Sequence, residues 1–124
     1  MKPRFGKHFL CEEFACPHCG LCLMDRDFMI ALNQLRELAG RPIKINSGYR
    51  CAEHNAAIGG APYSQHKLGR AADIVIVGLT VNEMFELAEQ VDAFRDGGIG
   101  MYHRKGFIHL DNRNYWARWT KSKK

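Results

Sequence analysis

The sequence predicts an α+β fold, a central and mainly antiparallel sheet with helices packed on it, and three observations carry that prediction. Stretches with helical spacing are mixed with short β-branched runs, and the last two such runs lie close enough in sequence to form a hairpin. The length, 124 residues, suits a single core. A 46% hydrophobic and 25% charged composition is ordinary for a globular protein, which excludes a disordered chain, a collagen-like repeat and a coiled coil. No apolar run approaches the ~20 residues of a membrane span, so no membrane insertion is expected. The first eight residues are basic and lack the apolar stretch of a secretory signal, so synthesis in the cytoplasm without a signal peptide is expected.

The elements follow in order. Residues 1–24 form a cysteine-rich opening segment, 25–119 the core and 120–124 a basic tail of one single domain. Asp25 is a helix cap, Phe28, Leu32, Leu35 and Ala39 recur at helical spacing, and Gly40 and Pro42 end that helix. Pro42 to Asn46 alternates like a short strand, and Ala52 to Ile58 reads as a short helix closed by Gly59-Gly60. A loop over Ala61 to Arg70 leads into the run 71–77, apolar on both faces as in a covered central strand. Thr80-Val81-Asn82-Glu83 is a capping box, opening a helix with an apolar stripe of Met84, Leu87, Ala88 and Val91. Strands are predicted near Ile99–Tyr102 and Gly106–Asp111, and the indoles of Trp116 and Trp119 are expected to fold back on the core.

Two segments carry chemistry. Asp73 opens an otherwise apolar strand, where a carboxylate is costly unless it is paired, hydrogen-bonded or bound to metal. His66 lies seven residues earlier, across a turn that Gly69 makes easy. In Gly106-Phe107-Ile108-His109-Leu110-Asp111, alternation puts Phe107, His109 and Asp111 on one face and Ile108 and Leu110 on the other. If that strand neighbours the 71–77 strand, His66, Asp73 and His109 converge. Two imidazoles and a carboxylate with a fourth position open to water make the donor set of a catalytic zinc site. Singly, each has a blander reading: a hydrogen-bonded strand histidine, or an aspartate that caps a turn or pairs with Arg70.

Ser47-Gly48-Tyr49-Arg50, followed by Ser64, His66, Gly69, Ala71 and Asp73 at fixed spacing and then the strand histidine His109, resembles the zinc D-alanyl-D-alanine carboxypeptidase family. Its wider group includes D-Ala-D-Ala dipeptidases, phage L-alanyl-D-glutamate endopeptidases and the metal-binding domain of Hedgehog signalling proteins. The resemblance runs from about Phe9 to Trp119, and Phe107 to Asp111 is most similar to the compact branch common in phages and bacteria. It implies a Hedgehog/DD-peptidase-like fold, with His66, Asp73 and His109 as ligands of one catalytic Zn2+. It also implies Arg50 at the substrate carbonyl or carboxylate, against the alternative of a structural salt bridge, with Ser64 and Gln65 orienting substrate or His66. Many members carry an acid three residues before the second zinc histidine, where this chain has Gly106. The general base is therefore open among Asp111, which could instead fix a histidine ligand from behind, and His103.

Cys16-Pro17-His18-Cys19-Gly20 looks like half of a pair of zinc knuckles, and Cys11, Cys22 and Cys51 could complete a second, structural metal site. Plain buried thiols and a disulfide are the alternatives. A bond or metal bridge from the opening segment to Cys51 would brace Arg50. Eighteen Lys and Arg against thirteen Asp and Glu give +5, in part from the ends (Lys2, Arg4, Lys7, Arg118, Lys121, Lys123 and Lys124). That balance suits an anionic polymer such as a bacterial cell wall as well as a solubilising surface. The resulting expectation is a monomeric zinc metallopeptidase of peptidoglycan stem peptides, a phage endolysin or wall-remodelling enzyme acting at the wall. A non-catalytic Hedgehog-like zinc module is the first rival. A nucleic-acid-binding zinc protein is the second, and it leaves the Ser64 to Asp73 motif without a purpose.

Overall fold

Five strands run side by side in the order β3 (Ile43–Ser47), β4 (Ala71–Ile76), β6 (Phe107–Asp111), β5 (Gly98–Tyr102) and β7 (Ala117–Lys121). Every pairing is antiparallel except β5 with β7, which is parallel. The computed structural model describes residues 3–121, so Lys2, Lys123 and Lys124 of the basic ends lie outside the described residues. A small hairpin of β1 (Arg4–Phe5) and β2 (Phe9–Leu10) precedes the sheet.

The helices form where their caps and stripes dictate. Asp25 accepts the amide of Phe28 at 2.9 Å and opens α1 (Arg26–Ala39), whose Phe28, Met29, Ala31, Leu32 and Leu35 are buried. Gly40, left-handed at φ 63°, ends it. Thr80 and Glu83 cap each other's amides at the start of α3 (Val81–Ala88). The expected single helix through Val91 is broken, because Val91 starts a separate short helix, α4 (Asp92–Arg95). Helix α2 (Ala52–Ala57) begins at Cys51, whose sulfur takes the capping position.

Cross-strand register explains why one face is core and the other is not. Ala72, Leu110 and Ile99 are mutual neighbours across β4, β6 and β5, and all are fully buried with Ile74 and Ile108 in the same apolar cluster as Phe28, Leu32, Leu35 and Phe94. Each such aromatic or branched side chain contributes roughly 1.5–3 kcal/mol by leaving water. The opposite face carries a transverse row, Ser47–Asp73–His109–Gly100–Trp119, each residue the direct partner of the next. Beside it lies a second row, Ala71–Asp111–Gly98–Ala117. The polar residues of β4 and β6 are therefore stacked together by register alone.

Three expectations need correction. The tail is partly strand, since β7 runs to Lys121 and takes in Thr120. Neither indole returns to the core: Trp116 is 65% exposed, and Trp119 is half-buried on the opposite sheet face, beside His109. The stretch from Ala61 to Arg70 is not all loop: Gln65–Leu68 forms a single 3-10 turn.

Candidate metal centre

His66 is delivered by that 3-10 turn. Ser64 caps it by accepting the His66 amide at 3.2 Å, and Gly69 closes it at φ 69°, where a Cβ would collide with the Leu23 carbonyl. Asp73 and His109 are direct partners on β4 and β6. Both imidazoles meet one oxygen, Asp73 Oδ1, His66 Nε2 at 3.2 Å and His109 Nδ1 at 3.0 Å. All three side chains are buried, and their nearest donor atoms lie within 4.8 Å of one another.

The outward nitrogens are already committed. His66 Nδ1 donates to the Gly48 carbonyl at 2.7 Å, and His109 Nε2 donates to Asp111 Oδ2 at 2.7 Å. A neutral imidazole has one N–H, so each ring turns its remaining lone pair toward Asp73 Oδ1. Two nitrogen lone pairs and a carboxylate oxygen aimed at one point repel unless a cation lies between them. A divalent metal fits that donor set, with the rings oriented from behind by hydrogen bonds as ligating histidines are. A proton shared between a ring and the carboxylate is the alternative to a cation at that point, and it shifts the groups it joins in opposite directions. Burial pushes the Asp73 carboxyl up, but the His109 and His66 contacts outweigh it and hold the group well below the usual carboxylate range. Burial pushes His109 down, yet its bonds to Asp111 and Asp73 carry it above its ordinary value.

Asp111 does not open onto a cleft. It is fully buried, with Oδ1 accepting from the Gly98 amide at 3.0 Å and from Arg113 Nε at 2.8 Å, and Oδ2 accepting from Arg113 Nη2 at 2.7 Å. Gly98, which has no side chain, leaves the room, since a Cβ there would run into this carboxylate. Burial raises its pKa, but the His109 and Arg113 bonds win and hold it well below the carboxylate range. His103 is exposed and bonded to Asn82 Oδ1 at 3.0 Å, outside the cavity over the cluster.

Arg50 fans three ways, Nε to Ser47 Oγ at 3.2 Å, Nη1 to Asn55 Oδ1 at 3.3 Å and Nη2 to Asp73 Oδ2 at 3.3 Å. It is thus both a salt bridge to the cluster and part of the wall of a cavity of about 490 Å3 above it. Ser64 and Gln65 line the same cavity, and Gln65 Oε1 is buried with no hydrogen-bond partner among the described residues. The opposite wall holds Tyr102, Arg113 and Trp119, none singled out from sequence as a functional group. Trp119 Nε1 donates to Tyr102 Oη at 3.1 Å, its ring lies 5.1 Å from that of His109, and Gly100 makes way for the indole. The Asp-x-Arg spacing at Asp111 and Arg113 was the signal available for the arginine.

The five cysteines divide in two. Cys11 and Cys22 sulfurs are 2.7 Å apart, and burial, then Cys11, pushes the Cys22 thiol up to about 12. Cys16, Cys19 and Cys51 form a separate cluster within 4.8 Å. A larger groove of about 660 Å3 between the β1–β2 hairpin and α1, lined by Phe5, Met24, Met29 and Ile30, holds the pair His8 and Glu37, 3.0 Å apart, but no group of three such donors among the described residues.

Residues 7–111 match the model of the family described as peptidase M15. The chain is 33% identical over 87 residues to the peptidoglycan L,D-endopeptidase MepK of Escherichia coli K12, covering 64% of this chain and 46% of that protein. A probable peptidoglycan L,D-endopeptidase MepK of Haemophilus influenzae is 33% identical over 79 residues, covering 60% and 41%. The chain therefore spans less than half the length of these relatives. The family match takes in the whole converging cluster, from His66 through Asp73 and His109 to the Asp111 that holds His109 from behind, and this chain belongs to the peptidase M15 family.

Proposed function

We propose that this chain is a zinc-dependent peptidase that hydrolyses peptide bonds in peptidoglycan stem peptides. The observation that carries the reading is the aim of three buried lone-pair donors at one point beneath a solvent-open cavity. Zinc bound there by His66, Asp73 and His109 would supply a Lewis acid for the scissile carbonyl and lower the pKa of its water to roughly 7. Arg50 is suited to grip a substrate carboxylate or the developing oxyanion at the cavity wall. Asp111 and Arg113 keep His109 in the tautomer that ligation needs.

Among the described residues lining the cavity, Asp73 is the one carboxylate, and it is taken as a ligand. We assign the proton-handling hydroxyl to Tyr102, fixed by the Trp119 indole, in place of Asp111 or His103. The relatives' names favour an L,D-endopeptidase over a D-Ala-D-Ala carboxypeptidase. The +5 charge suits an anionic wall, in host lysis by a phage endolysin or in remodelling.

The test is digestion of purified peptidoglycan, with muropeptides resolved by mass spectrometry. Zinc-loaded protein should release new amino termini at an L,D bond, chelator should stop it, and His66→Ala, Asp73→Ala or His109→Ala should lose metal and activity together. One observation favours the binding-module reading: Asp111, the acid beside His109, is sealed away from the cavity. Zinc-loaded protein that binds peptidoglycan without releasing amines would establish that reading instead.

A further inference from the structure

Outside the peptidase cluster, Cys16, Cys19 and Cys51 bring three sulfurs to one place from two distant parts of the chain. Cys16 and Cys19 sit on a tight turn in which the Gly20 amide donates to the Cys16 carbonyl at 2.8 Å, and Cys51 opens α2. The Cys16 and Cys51 sulfurs are 3.6 Å apart, and the third lies within 4.8 Å of both. A tetrahedral zinc with bonds of about 2.3 Å holds its sulfurs about 3.8 Å apart, whereas a disulfide needs about 2.05 Å. Backbone amides point at the sulfurs, that of Cys51 at Cys16 Sγ and that of His54 at Cys51 Sγ, each at 3.4 Å. Amides directed at sulfur favour thiolate over thiol.

The Cys11 and Cys22 pair, at 2.7 Å, is too close for two ligands of one tetrahedral ion and is no part of this cluster. We propose that Cys16, Cys19 and Cys51 bind a second, structural zinc ion through their three sulfurs. Three Sγ–metal bonds form as the three thiols release their protons to solvent. The ion joins the opening segment to the residue next to Arg50, so the fan of that guanidinium toward Asp73 is fixed from the far side of the cavity wall.

Metal content and cobalt spectroscopy of the intact chain decide the matter, and neither depends on activity. Zinc-loaded wild-type protein should hold about two metals per chain, and His66→Ala about one. The cobalt-substituted His66→Ala variant should keep an intense near-ultraviolet thiolate charge-transfer band. Cys16→Ser and Cys51→Ser should lose that band. Cys16 is buried and its replacement can harm folding, so Cys19→Ser, at an exposed position, is the second variant; it should lose the band, with circular dichroism unchanged and the zinc at His66 retained. A metal-free His66→Ala variant, a band that survives Cys19→Ser, or a Cys16–Cys51 disulfide in the freshly isolated chain would each overturn the assignment.

Discussion

Exchanging Asp111 for asparagine is expected to weaken metal binding about 10–100-fold, as loss of a partner behind a ligating histidine does. Competition against a chromophoric chelator measures it. Unchanged affinity with abolished turnover would return Asp111 to the role of base. Tyr102→Phe should do the reverse, keeping the metal and losing roughly 100-fold or more in kcat, the scale of general acid–base catalysis. His103→Ala, on an exposed side chain bonded to Asn82, should leave both quantities unchanged. Metal content and steady-state kinetics on one preparation of each variant separate these outcomes. Alternation along β6 told which face Asp111 shares with His109, and the structure agrees. What it could not tell is depth, because depth is set by Gly98 on a neighbouring strand and by Arg113 beyond the strand end.

Among the elements, β5 is shaped by what it lacks. Gly100 sits beneath the Trp119 indole, so Gly100→Ala should force the ring off His109 and cost about 1–3 kcal/mol, the usual range for overpacking. Urea unfolding of the two proteins tests this, and an unshifted midpoint would mean the indole is free to move. The capping box of α3 makes a prediction about pH. The Thr80 amide and hydroxyl hold the Glu83 carboxyl below its ordinary range, so the folded chain binds that proton less readily than the unfolded one. Its stabilisation is complete above the unfolded pKa, about 4.3, and fades as pH falls through the lower folded value. Between pH 6 and pH 3 the wild-type urea midpoint should therefore drop further than that of Glu83→Gln; equal drops would remove the carboxylate from the cap. Helices α1 and α3 and strands β4 to β6 were legible because caps and periodicity are local. Strand β7 was not, since its parallel pairing with β5 is a long-range choice that Trp116 to Trp119 does not announce. For the same reason the cysteines read as one group of five, though distance divides them.

For the molecule as a whole, the proposed ion would link β4, β6 and the turn between residues 64 and 69, segments far apart in sequence. It should bind the folded chain far better than the unfolded one, and free zinc about 1,000 times above Kd would then add about 4 kcal/mol. The thermal midpoint of the wild type should rise with zinc and fall with chelator, more than that of His66→Ala. Equal responses in the two proteins would mean the stabilising ion is held elsewhere. No helix among the described residues is long and apolar enough to cross a membrane.

The transverse row has one more effect. Because Asp73 and His109 are exact opposites on paired strands, a one-residue slip of β6 would turn His109 toward the helices and expose Ile108 and Leu110. A slipped chain could neither close its core nor take up the ion. If the proposed ion binds there, its capture during refolding would proofread strand pairing, and the rate at which a refolding population becomes zinc-competent would count the molecules that have found the correct alignment.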